Sequence, residues 1–149
     1  MMNIPKAPLL LGLAGLIPFV WGALTILVPG LADWTAGTIG PRFVGPYIGL
    51  QYGVVILSFM SGVIWGFATR AKGETAALLY ALSVLPALWA FFMVGSGAVS
   101  SAIYLMAGFV GLLFIDWTVW RHGLAPEWWM RLRLLLTSVV VLSLLVVVL

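Results

Sequence analysis

The chain has 149 residues, 64% of them hydrophobic and 7% charged, against roughly half apolar and a quarter charged in soluble domains. A body this small cannot hide so much apolar surface inside itself, and a mean hydropathy of +1.20 makes lipid the solvent for most of it, which excludes a soluble domain. Seven basic residues against four acidic ones give a net charge of +3, but they form no basic stripe and so imply no nucleic-acid partner. With no cysteine and one histidine, His122, disulfides, thiolate metal sites, iron–sulfur ligation, c-type haem attachment and a haem held by two histidines of one chain are all excluded, and neither metal nor cofactor is expected.

A helix rising about 1.5 Å per residue needs about 20 apolar residues to cross a hydrocarbon core of about 30 Å. Five candidate stretches emerge, and they are continuous rather than alternating, so the expected fold is an all-α polytopic bundle of five transmembrane helices forming one domain, 1–149; four crossings would fit only with the third or fourth stretch re-entrant. The first, 7–28, ends at Pro29 and Gly30 and carries a kinking Pro18. It is too long for a signal-peptide core and lacks an A-x-A site, so it reads as a retained helix.

The second span, 47–68, ends before Arg70 and Lys72 and holds the most specific pattern in the chain. Gly45, Gly49 and Gly53 recur every four residues, and Ser58, Gly62 and Gly66 repeat the spacing. Small residues stacked on a membrane helix let a neighbouring backbone approach closely, which predicts a central helix packed against an internal neighbour or another chain. Gln51, the most polar side chain within a span, reads either as an interhelical hydrogen bond or as a ligand contact. The third span, 75–94, contains Pro86; the fourth, 100–115, closes before Asp116; the fifth, 131–149, follows Trp128 and Trp129.

Under this parse all charged residues fall in tails or connections, avoiding about 2.5–3.5 kcal/mol for each charge at a span centre. Lys6, Arg70, Lys72, Arg121, Arg131 and Arg133 share one side and Arg42 stands on the other, so the positive-inside rule places the N-terminus inside and the C-terminus outside. No span contains His, Lys, Asp or Glu, which leaves neither a base beside a serine nor a proton carrier at mid-depth. The connection 116–133 concentrates Trp117, Trp120, Trp128 and Trp129 beside three arginines. It reads as an interfacial anchor on anionic lipid, each basic residue adding about 1 kcal/mol, or as a pocket for a lipid headgroup or partner formed by Arg121, Trp128, Trp129, Arg131 and Arg133. Glu127 and Arg131 are an i, i+4 pair, His122 reads as a wet loop residue, and Asp116 as a span-end acid paired with Arg121 or a ligand contact.

Three segments carry a family resemblance: Leu11-Gly12-Leu13-Ala14-Gly15-Leu16-Ile17-Pro18-Phe19; Tyr52 to Gly62 followed by Trp65-Gly66; and Leu124-Ala125-Pro126 with Arg131-Leu132-Arg133-Leu134 and Thr137. On these the chain resembles, over nearly its whole length, the domain of unknown function 3429 family, small membrane proteins that include the transmembrane-protein-69-like proteins of mitochondria. Ser61 stands where the family would have glycine, and Ile64 where a histidine is frequent. The resemblance implies an integral protein of bacterial or mitochondrial inner membranes and no particular activity.

The functional expectation is a non-enzymatic accessory, assembly or scaffold protein of a membrane complex, its partners the bilayer, anionic lipids and other membrane proteins or a second copy. The alternative is a small-molecule or lipid-binding or transport protein with a polar pathway near Gln51 and Ser58. An enzyme using Asp116, His122 and Arg121 is a third reading.

Overall fold

The computed structural model describes residues 3–149, and among these there is no strand. Five helical segments are long and apolar enough to cross a membrane. The first crossing is broken into α1 (Lys6–Ala14) and α2 (Ile17–Leu27). Pro18 has no N–H, and its ring excludes the carbonyl four residues back, at Ala14. The chain therefore turns through Gly15 and Leu16, where the Leu16 N–H donates to the Leu13 carbonyl at 3.0 Å.

Next in the chain come two elements that hydropathy did not reveal, α3 (Pro29–Thr38) and a 3-10 turn at Pro41–Phe43. Pro29 opens α3 at a position whose N–H would be unused, and Trp34 folds back edge-on to Trp21 of α2, ring centres 6.5 Å apart.

The remaining spans are α4 (Tyr47–Ala68), α5 (Gly73–Met93), α6 (Ala98–Arg121) and α7 (Trp129–Val148). Helix α4 is central, packing on α2, α5 and α6 and touching α7. Its glycines explain how. Gly45, in the turn before α4 rather than within it, lies so close to α2 that a Cβ there would strike the backbone of Gly22. Its N–H donates to Thr25 Oγ1 at 2.8 Å. A Cβ on Gly53 would meet Leu105 of α6 at 2.9 Å, and one on Gly49 would touch Leu144 of α7 at 3.8 Å.

Pro86 leaves α5 continuous, and the break it causes in the hydrogen-bond ladder is mended from outside. The next N–H, at Ala87, donates to Ser61 Oγ of α4 at 2.9 Å. In a bilayer a freed backbone group must find such a neighbour, and a glycine at position 61 would offer none.

Two sequence expectations need correction. The fourth span does not close before Asp116 but runs on to Arg121, and the charged residues are not all in tails and connections. Asp116 is 0% and Arg133 4% exposed. A charge ends a span only where no partner of opposite sign can reach it.

Candidate functional site

On α6 the buried residues Leu105, Phe109, Leu112, Asp116 and Val119 recur at spacings of three and four, which puts Asp116 on the stripe facing the bundle. On α7 the stripe is Leu132, Arg133, Thr137, Val140 and Leu144. Packing these two faces together brings the charges into contact, and Arg133 Nε donates to Asp116 Oδ2 at 2.7 Å. One turn earlier on α7, Trp129 Nε1 donates to the other carboxylate oxygen, Oδ1, at 2.9 Å. The Trp129 ring meets Phe67 of α4 edge-on at 5.1 Å, and the Arg70 guanidinium lies 5.8 Å from the centre of the Phe67 ring. A chain of polar and aromatic contacts thus ties α4, α6 and α7 at one end of the bundle. Either charge alone would be costly at this depth; together they carry no net charge.

Beside the pair lies a cleft of about 290 Å³. Leu11 and Phe19 wall it from α1 and α2, Tyr52 and Met60 from α4, and Phe109 from α6, with Arg133 and Thr137 supplying polar groups from α7. Arg133 Nη2 and Thr137 Oγ1 are buried without a hydrogen-bond partner. A guanidinium beside a carboxylate can form two parallel bonds; here Arg133 makes one, from Nε to Oδ2, and the Trp129 indole donates to Oδ1. A second cavity, about 670 Å³ between α5 and α6, has apolar walls that include Leu85, Phe92 and Gly111. Its Trp89 indole already donates to the Tyr104 carbonyl at 2.7 Å.

The residues singled out in the sequence separate into distinct places. Gly45, Gly49 and Gly53 face inward, while Ser58, Gly62 and Gly66 face outward, with no atom within 4 Å of a Cβ at either glycine. Gln51 is exposed on α4 and does not line the cleft. Asp116 pairs with Arg133 and not with Arg121, whose guanidinium lies 5.1 Å from the Trp117 ring centre. His122 Nδ1 is 2.8 Å from the Thr118 carbonyl oxygen. Asp116, Arg121 and His122 therefore do not converge on one site. The Trp128 ring lies tilted to that of Trp129, centres 6.2 Å apart, and Arg131 is exposed on the first turn of α7. Thr137 and Tyr52 stood out in the sequence only as members of the segments that carry the family resemblance. Gly108, where a Cβ would meet Leu57 at 2.7 Å, did not stand out at all.

The comparisons with known proteins agree with this architecture. A family described as "Protein of unknown function (DUF3429)" matches residues 4–149. The chain belongs to this family. It is 34% identical to Transmembrane protein 69 of Xenopus tropicalis over 148 residues, an alignment covering 95% of this chain and 53% of that protein. The chain thus spans about half the length of this curated relative. No solved structure matches. Five helices long and apolar enough to cross a membrane, together with a transmembrane relative, make this a multi-pass membrane protein.

Proposed function

We propose that the protein is a non-enzymatic accessory or assembly component of a membrane complex, seated in the bacterial inner membrane or, in a eukaryote, the mitochondrial one. The observation that supports this reading is the outward strip Ser58, Gly62 and Gly66 on α4. The bundle already uses Gly45, Gly49 and Gly53 for its own close contacts, so the second strip is surplus to the fold. In lipid, where apolar burial gives no drive to associate, a strip without bulky side chains is where another transmembrane helix can come close.

The orientation proposed with it has the N-terminus inside. Arg133 drops out of the loop count because its charge is met by Asp116, which leaves Lys6, Arg70, Lys72, Arg121 and Arg131 against Arg42. The bias survives. The Arg121, Trp128 and Arg131 rim would then lie at the headgroups of an anionic leaflet.

Because the chain has no cysteine, crosslinking in native membranes is clean. Gly62→Cys and Gly66→Cys should give defined crosslinked species, to a partner or to a second copy, and Phe91→Cys on the outer face of α5, 76% exposed, should not. Equal yields at all three sites, with a monomer in mild detergent, would defeat the proposal.

A further inference from the structure

The cleft beside the ion pair holds a mismatch between walls and floor. Its walls are apolar, yet Arg133 and Thr137, each 4% exposed, are among its lining residues, and each holds a polar atom, Nη2 and Oγ1, that is buried without a partner. A buried donor left unpaired is costly, and a guanidinium cannot escape by losing its proton. Something that accepts hydrogen bonds fits here.

Charge and depth narrow what it is. The positive charge of Arg133 is already met by Asp116, so an anionic occupant would add an uncompensated charge inside the bundle, whereas a neutral acceptor adds none. Helix α7 begins at Trp129, so Arg133 is one turn in and Thr137 two. On α4 the wall runs from Tyr52 to Met60, in the middle of the Tyr47–Ala68 helix. Phosphate headgroups do not sit at that level; molecules dissolved among the acyl chains do. The rim residues Leu11 and Phe59 are 74% and 64% exposed, so the cleft opens toward lipid. A volume of about 290 Å³ is at the small end of ligand sites and suits one ring or a short ester head with its tail left in the bilayer.

We infer that this cleft binds a neutral, membrane-soluble carbonyl compound whose oxygen accepts from Arg133 Nη2 and Thr137 Oγ1 once these two side chains turn to face it. A carbonyl oxygen has two lone pairs and can accept from both donors. The same chemistry is offered by the ring of a lipid-soluble benzoquinone and by the ester of a diacylglycerol. Ser58, Gly62 and Gly66 take no part in lining the cleft, so this inference and the proposed docking strip stand or fall separately.

Native mass spectrometry of the purified full chain in detergent tests it, with decylubiquinone and 1,2-dioctanoylglycerol as carbonyl probes and dodecylbenzene as the carbonyl-free control. One saturable adduct per chain is expected with a carbonyl probe and none with dodecylbenzene. A quinone adduct assigns the ring source, a diacylglycerol adduct the glycerolipid source, and adducts with both assign the shared carbonyl. Thr137→Val removes the hydroxyl at nearly constant shape and should weaken the apparent Kd about five- to tenfold, and Arg133→Lys, which keeps the charge, at least about tenfold. Absence of binding by both carbonyl probes, equal binding of dodecylbenzene, or an unchanged Kd in a folded Thr137→Val protein overturns the inference.

Discussion

Replacing Arg133 with methionine leaves Asp116 buried with only the Trp129 N–H to meet its charge. Breaking one side of a buried ion pair costs about 3–5 kcal/mol, which is two to nearly four orders of magnitude in the unfolding equilibrium. Asp116→Val should cost a similar amount, because Arg133, 4% exposed, would keep its charge and lose its counter-ion. The double variant behaves differently. Replacing a whole buried pair by apolar residues is neutral or stabilising by about 1–4 kcal/mol, while the orphaned Trp129 N–H costs about 1–3 kcal/mol. The two effects nearly cancel, so the double variant should stay within about 2 kcal/mol of the parent, with a coupling energy of several kcal/mol. Unfolding in mixed detergent micelles, followed by tryptophan fluorescence, reads all four corners of the cycle. Additive losses, with the double variant as damaged as the sum of the singles, would mean that the two charges do not hold each other in place.

Single contacts give further expected outcomes. Ser61→Ala takes away the acceptor for the Ala87 N–H and should lower stability by about 1–3 kcal/mol, seen in the same unfolding assay; Ser61→Gly should do no better, although glycine is the residue expected there in the family. Gly45→Ala drives a methyl into the Gly22 backbone, which cannot yield as a side chain would, and should cost about 1–3 kcal/mol or more. Gly62→Ala meets open space and should stay within about 0.5 kcal/mol in detergent; equal losses for the two would be incompatible with the assignment of inward and outward glycines.

Much of the architecture was legible because a bilayer leaves a helical chain few options. The second and third spans lie within a residue or two of their expected limits, since Arg70, Lys72 and the loop glycines mark their ends. The fourth failed for a definable reason: a hydropathy reading treats every charge as a stop. The spacing 105, 109, 112, 116 and 119 was present in the sequence and puts Asp116 on the inner face of its helix. The same arithmetic separates the residues of α4. At about 100° per residue, the five-residue step from Gly53 to Ser58 turns the strip by roughly 140°, and Gln51 lies about 200° from both Gly49 and Gly53. One face could not have held them all. Helix α3 was not legible because it is short and only moderately apolar, and contacts such as Trp21–Trp34 join residues far apart in the hydropathy pattern. Nor could the unpartnered Arg133 Nη2 be foreseen, because it depends on how the α6 and α7 side chains meet and not on spacing along either helix.

The proposed topology is a bundle of five crossings whose cationic connections lie together on the inner side. Single cysteines introduced at Lys6, Arg42, Lys72 and Arg121, with a fifth at Leu149, can be labelled in sealed inner-membrane vesicles of known orientation using an impermeant maleimide. Lys6→Cys, Lys72→Cys and Arg121→Cys should react only from the inner side, and Arg42→Cys and Leu149→Cys only from the outer side. Labelling of Lys72→Cys and Arg121→Cys from opposite sides would overturn this topology.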